Sequence, residues 1–136
     1  MEKYKSKLRF DKYVVNEVNF KNNDNFKPQP VTIDFSIYKN IEREENNMKV
    51  ELVTKVFENA EENNFPFEMI VKLTGYFTEE NNDENINFEP NAIAILYPYV
   101  RSIVSIYTIN SNVNGLILPV INVNNVIKDL DSKKGN

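Results

Sequence analysis

Four stretches of this chain alternate apolar and polar residues with a period of two. That alternation calls for an antiparallel sheet with one covered and one wetted face. The first stretch places Leu8, Phe10, Val14, Val18 and Phe20 on one face, with Lys12 and Asn16 as exceptions. The second sets Val31, Ile33, Phe35 and Ile37 against Thr32, Asp34, Ser36 and Tyr38. In the third, Met48, Val50, Leu52 and Val56 oppose Lys49, Glu51 and Lys55. In the fourth, Phe65, Phe67, Met69, Val71, Leu73 and Phe77 oppose Glu68, Lys72 and Thr74. The connections agree with this reading. Residues 44–47 form a tight hairpin turn, where the Asn46-Asn47 pair tolerates positive φ. Residues 58–64 are a polar loop. Residues 22–30 are longer than a hairpin needs, and Pro28 and Pro30 keep them out of a ladder, so they read as a crossover.

Beyond the acidic, Asn-rich stretch 79–89 the period changes. Ile93, Leu96, Tyr97, Val100, Val104 and Tyr107 recur at helical spacing, with Pro90 placed for a first turn. Pro98 lies inside the pattern and costs about 3 kcal/mol in a helix interior. It predicts a kink, or a helix that properly starts near Pro98. Ile103, Ile106 and Ile109 add apolar surface on another side. A helix that is apolar over most of its circumference must be covered twice, and one sheet covers it once. The pattern therefore predicts an oligomer around this helix, with Tyr99, Val100, Ile103, Val104 and Tyr107 at the interface. Residues 110–115 end the helix, with Gly115 as the stop. An apolar run over 116–121 follows, and Asn122 is placed to cap a short final helix carrying Val123, Val126, Ile127 and Leu130. The expected unit is one α+β domain over residues 1–130 with a polar tail over 131–136. It comprises a four-stranded antiparallel sheet, a long helix on one face and a short C-terminal helix.

Composition removes most chemistry. A chain of 136 residues, 41% hydrophobic, can bury a core without metals or disulfides. A net charge of −4 lacks the basic excess that phosphate contacts require, so nucleic acid is not an expected partner. The chain has no Cys and no His, which excludes thiol nucleophiles, His bases, Ser-His-Asp triads and Cys/His zinc sites. It also excludes a disulfide framework, which suits a reducing cytoplasm. Gly75, Gly115 and Gly135 are too few and too scattered for a phosphate loop. The start, MEKYKSKLRF, lacks the apolar region of a signal peptide. The longest apolar stretch, 92–100, is short and broken by Pro98, so membrane insertion is not expected. Paired carboxylates remain, among Glu42, Glu44 and Glu45 or Glu79, Glu80, Asp83 and Glu84. They sit in turns and loops, where solvated charge is the ordinary reading. The second group also lacks the ligand order and central glycine of a calcium loop. The reading is a non-enzyme with no cofactor and no metal.

Two residues stand outside these patterns. Phe26 is an aromatic ring in the polar crossover, so it either tucks under the loop or lines a groove. Arg101 lies in the apolar helix, where it pairs with an acid across an interface or reaches out to solvent.

The segment LYPYVRSIVSIYTINSNVNGLILPVIN, residues 96–122, resembles the SecB family of export chaperones. The family has an apolar pair, a Pro-Tyr-Ala-Arg phrase and a helix. A Gly-containing break and an apolar-Leu-Pro-Pro/Val-Asn run then lead into a last helix. The matching residues are Pro98, Tyr99 and Arg101, then Leu116, Leu118, Pro119 and Asn122, with Asn91 at a slightly different spacing. Weaker matches are Val18 with Phe20 in the first strand, residues 30–35, and the Gly75-Tyr76-Phe77 phrase. Together they cover roughly residues 8–130 in order.

The resemblance implies a protomer with a four-stranded sheet and a long helix on one face. It also implies pairing of protomers into a homotetramer with helices between sheets. It implies an ATP-independent holding chaperone, cytoplasmic, that keeps unfolded or precursor polypeptides competent for Sec export and passes them to SecA. The client groove would use Phe26, Val31, Ile33 and Phe35 on one wall and Leu116, Leu118, Ile121, Val126, Ile127 and Leu130 on the other. SecA docks on acidic residues of the family's wetted sheet face. Glu17 matches one of these, whereas Lys21 and Ile70 fall near two others and break the pattern. The same fold also serves as a chaperone dedicated to the antitoxin of a toxin–antitoxin pair, which would explain a degraded SecA face. A non-chaperone oligomeric scaffold is the remaining alternative.

Overall fold

A computed structural model describes residues 7–80, 87–111, 115–119 and 127–129. Its elements are β1 (Leu8–Asn22), β2 (Phe35–Glu44), β3 (Asn47–Val56), α1 (Ala60–Asn63), β4 (Phe67–Glu79), α2 (Glu89–Asn110) and β5 (Ile127–Asp129). The sheet order is β1-β4-β3-β2-β5. The first four strands pair antiparallel, as the alternation requires, and α2 packs on one face.

The covered face is the one anticipated for β3 and β4. Val50, Leu52, Val56, Met69, Val71, Leu73 and Phe77 meet Ala92, Ile93, Leu96, Val100 and Val104 of α2, and none is more than 1% exposed. Each large side chain buried in this way stabilises the fold by about 1.5–3 kcal/mol. Gly75 sets the distance between the layers. A Cβ there would lie 2.6 Å from Leu96 Cδ2 and 2.8 Å from the Phe77 ring, so any side chain would force these core side chains to shift. At its first residue α2 is fastened by Glu89, which accepts hydrogen bonds from Lys39 Nζ at 3.1 Å and Arg43 Nη1 at 2.8 Å. Burial pushes the Glu89 carboxyl upward, but these two cations outweigh it and hold the group below its ordinary value.

In β1 the apparent exceptions have a geometric cause. The pairing with β4 shifts between Phe10 and Lys12 and again between Val15 and Glu17, which leaves Asp11 and Asn16 as bulged residues. Each bulge reverses the parity of the strand. Lys12 is thereby returned to the open face, where its Nζ sits 4.9 Å from the centre of the Tyr76 ring. Asn16 accepts a 2.6 Å hydrogen bond from Thr74 Oγ1 on that open face. Val14 pairs with Thr74 and belongs to the open face, not the covered one. Tyr13 and Val15, opposite Gly75 and Leu73, take the covered side.

Other expectations are corrected. Val31 and Ile33 precede β2, which begins only at Phe35. In the β2–β3 turn the positive φ falls on Glu45, at 54°, and not on an asparagine. α2 runs unbroken from Glu89 through Pro98, whose exposed position leaves the missing hydrogen bond to water. Residues 127–129 are not helical. They form β5, parallel to β2, with Ile37 opposite Ile127 and Lys39 opposite Asp129. The outer edge of β2 offers backbone groups that need partners, and β-branched Val123, Val126 and Ile127 suit a strand better than a helix. The rest of the expected final helix lies outside the described residues.

By length and mean hydropathy α2 resembles a membrane span. Its Ala92, Ile93, Leu96, Tyr97, Val100, Val104 and Thr108 are buried within the protein, which is the pattern of a core helix.

Candidate functional site

The crossover between β1 and β2 is pinned at its start. Asn23 is buried, and its Nδ2 donates to the Ala60 carbonyl at 3.2 Å and the Phe65 carbonyl at 2.9 Å. Asn64 brackets Lys27, accepting from its N–H at 2.8 Å and donating to its carbonyl at 3.0 Å. From there residues 28–33 run extended over the end of the sheet. Pro28 and Pro30 resist any other path, and Val31 and Ile33 are 37% and 40% exposed.

Two adjoining cavities lie along this segment. The first, of about 320 Å³, is lined by Phe26, Val31, Ile33, Phe57, Phe67 and Leu116, among others. The second, of about 500 Å³, is lined by Val31, Ile33, Asp34, Phe35, Asn63 and Phe65 with their neighbours. They share residues 29–31 and Ile33, so they form one interrupted groove, mainly apolar in the first cavity and mixed in the second, where Thr32, Asp34 and Asn63 join the lining.

Five residues named from the sequence thus converge: Phe26, Val31, Ile33, Phe35 and Leu116. Leu118 does not. It is fully buried in the core. Ile127 lies in β5, and Ile121, Val126 and Leu130 lie outside the described residues. The sequence reading missed the groove floor. The Phe57 ring lies tilted against Phe65 at 4.8 Å and meets Phe67 edge-on at 5.1 Å. Phe57 follows buried Val56, so alternation assigns it to the open face. A φ of 55° turns it back under the groove. That left-handed backbone is unusual for a bulky residue, and nothing in the sequence marks it.

The second wall of the groove is a strap, residues 115–119, laid along α2. It belongs to no ladder. One stripe of helix side chains holds it: Tyr97 donates its hydroxyl to the Pro119 carbonyl at 2.6 Å, Arg101 Nε to the Leu118 carbonyl at 2.9 Å, and Ser105 Oγ to the Leu116 carbonyl at 3.1 Å. The Leu116 N–H donates to Thr108 Oγ1 at 2.9 Å. Residues at these spacings share a helix face. Among the described residues Arg101 thus bonds to the strap and to no acid, and it remains partly open to solvent. Burial pushes the Tyr97 hydroxyl above its ordinary value, with the nearby Arg101 charge partly offsetting this, so it remains a neutral donor.

Another side of α2 is apolar and only partly covered. Tyr99 stacks on Tyr13 of β1 at 4.2 Å, Ile103 is half-buried, and Ile106 and Tyr107 are 54% and 42% exposed. Of the expected oligomer interface, Tyr99, Ile103 and Tyr107 lie on accessible surface. Val100 and Val104 face the sheet and are core residues.

Glu17 is exposed on the open face, 3.6 Å from Lys72. Lys21 pairs across the ladder with Glu68, and Ile70 with Asn19. The charges on this stretch of the face cancel.

A four-stranded antiparallel sheet with a long helix packed on one face is the SecB-like fold. The Mycobacterium tuberculosis Rv1957 SecB-like chaperone, solved in complex with a ChAD peptide from the Rv1956 HigA1 antitoxin, superposes with a TM-score of 0.64. It is 16% identical, and the match covers 85% of this chain and 91% of that one. A protein of unknown function from Streptococcus agalactiae matches with a TM-score of 0.48 and 13% identity, over 83% of this chain and 97% of that one. No protein-family model matches the chain. In sequence the chain is 30% identical over 137 residues to the uncharacterized protein MJ0357 of Methanocaldococcus jannaschii, covering 96% of this chain and 88% of that protein. It belongs to the MJ0357 family.

Proposed function

We propose that this chain is an ATP-independent holding chaperone that takes unfolded or precursor segments into the groove between crossover and strap. The observation that carries the reading is the convergence of Phe26, Val31, Ile33, Phe35 and Leu116 on adjoining cavities. Non-native polypeptides expose apolar side chains. A shallow groove buries each only in part, but several used together give useful affinity after ordering costs. Nothing in such a groove calls for an enzyme, a cofactor or a metal. Two or more copies would multiply the grooves, and the partly covered side of α2 with Tyr13 of β1 is the surface proposed to join them into a tetramer.

Between a general export chaperone and one dedicated to a single partner, the second is favoured. The SecB-like fold neighbour holds an antitoxin peptide. The open-face charges that SecA docking would use are here balanced by Lys72 and Lys21. A cytoplasmic setting fits either role.

The test is suppression of aggregation without ATP. A slow-folding precursor and an antitoxin from the neighbourhood of the gene are each diluted from denaturant with the purified chain. Delayed aggregation of the antitoxin alone supports the dedicated role, and delay of both supports a general holdase. Failure to delay either at several-fold molar excess would refute a chaperone and leave the scaffold reading.

A further inference from the structure

From Leu116 to Leu118 the hydrogen bonds that hold the strap use one of its edges, and the alternation ends at Pro119, whose carbonyl also turns to α2 through Tyr97. In an extended chain the N–H and C=O of one residue point to one side and those of the next residue to the other. Leu116 gives both groups to α2, through Thr108 and Ser105, and Leu118 gives its carbonyl to Arg101. The edge turned away from α2 therefore carries the N–H and C=O of Gly115 and Ile117. No described residue bonds to any of these four groups, and the Ile117 side chain is 71% exposed.

An extended edge whose groups have no partner among the described residues is a template for another strand. Its surroundings say which kind. The first cavity lies between Gly115 and Leu116 on one side and Phe26, Val31 and Ile33 on the other, so an occupant meets apolar walls. Gly115 lets the strap start close against α2, since a Cβ there would lie 2.9 Å from Ile109 Cγ1. Pro119 has no N–H and closes the edge. The stripe Tyr97, Arg101, Ser105 and Thr108 keeps the strap extended before anything binds, which lowers the ordering cost of pairing.

We infer that Gly115 and Ile117 bind clients by main-chain pairing. An extended polypeptide segment lies against the outer edge of the strap, exchanging hydrogen bonds with these two residues, while its alternate apolar side chains enter the groove. The inference rests on the chaperone reading and adds the chemistry of recognition. Selection is for extended backbone with apolar alternation and is tolerant of which apolar residues supply it.

The test uses the full chain and a short fluorescent peptide alternating valine and tyrosine with threonine, compared with versions N-methylated at one amide at a time. Methylation of the amides that face the strap should weaken binding by about twofold to tenfold each, the worth of one neutral hydrogen bond. Methylation of the amides between them should leave affinity unchanged. On the protein, Ile117→Pro removes one N–H and should weaken binding by a similar factor, whereas Ile117→Val should not. If the proline variant fails to fold, the methylated peptides still decide. Tight binding that is insensitive to every methylation overturns main-chain pairing and leaves the groove intact as a proposal. Absence of binding by the parent peptide overturns both.

Discussion

Replacing Arg101 with methionine removes one hydrogen bond at the point where the groove wall is fastened. Arg101 Nε donates to the Leu118 carbonyl at 2.9 Å, and the Leu118 side chain is fully buried. Methionine retains most of the apolar stem, so packing changes little. What is lost is a charged donor to a carbonyl, a bond worth about 1.5–3 kcal/mol. Arg101 is itself only half-buried, so water replaces part of it, and the net loss is about 1–2 kcal/mol. With a urea dependence of about 2 kcal/mol/M, the middle of the range for small proteins, the unfolding midpoint falls by roughly 0.5–1 M. Affinity for an extended apolar peptide should fall as well, even at urea concentrations where the variant is fully folded. The reason is that Leu116 lines the groove two residues from the freed carbonyl. Urea unfolding followed by circular dichroism, paired with peptide anisotropy, reads both quantities. Ser102→Ala, on an exposed part of the helix, is the control. An Arg101→Met variant with unchanged midpoint and unchanged affinity would refute the claim that this side chain holds the strap.

Three further outcomes follow from single sites. Thr54 is fully buried, and its hydroxyl has no hydrogen-bond partner among the described residues. Thr54→Val should therefore raise stability by about 1–2 kcal/mol, and a lower midpoint in urea would show that the hydroxyl is satisfied. Glu89 is held below its ordinary value of 4.5 by Arg43 and Lys39 against the effect of burial. Its contribution to stability is full above that value and is lost as pH falls through the depressed one. The melting temperature of Glu89→Gln should thus be lower than wild type near neutral pH, with the gap closing under acid. A gap that stays constant with pH contradicts the linkage. Tyr107→Asp places a charge on the partly covered side of α2 and should reduce the mass seen by light scattering, and an unchanged mass removes this side of the helix from the proposed oligomer.

The sheet and the helix were legible because burial on one face leaves a period in the sequence, and β3 and β4 follow it from end to end. β1 was legible only in part. Lys12 and Asn16 registered as exceptions, but a bulge adds a residue without changing composition, so the reversal that moves Val14 outward and Tyr13 inward has no separate signal. Phe57 was missed for a related reason, since a single left-handed residue breaks alternation invisibly. Residues 127–129 were read as helix from their spacing. Pairing along the outer edge of β2, a feature of the assembled sheet and not of the local sequence, makes them a strand. The groove was found in outline through the family resemblance, and of its residues only Phe26, an aromatic ring in a polar crossover, stood out by its own surroundings. The strap was found as a wall but not as a hydrogen-bonded one, because Ser105 and Thr108 in a helix carry no mark of what they bond.

The argument that α2 must be covered twice also changes once its faces are separated. The sheet covers one face through Leu96, Val100 and Val104. The strap covers a second from within the same chain, through Leu118 and the four side chains that hold the strap backbone. What remains for another copy is a narrower strip: Tyr99, Ile103 and Ile106, continued by Tyr13 and Val15 on the long edge strand β1. A strip shared between a helix and a sheet edge can bury apolar side chains and pair backbone in one contact. The groove lies with the crossover and strap, outside that strip. Assembly and client capture thus draw on different surfaces, so a variant that dissociates the copies should leave each groove able to bind a peptide, with only the gain from several grooves acting together removed.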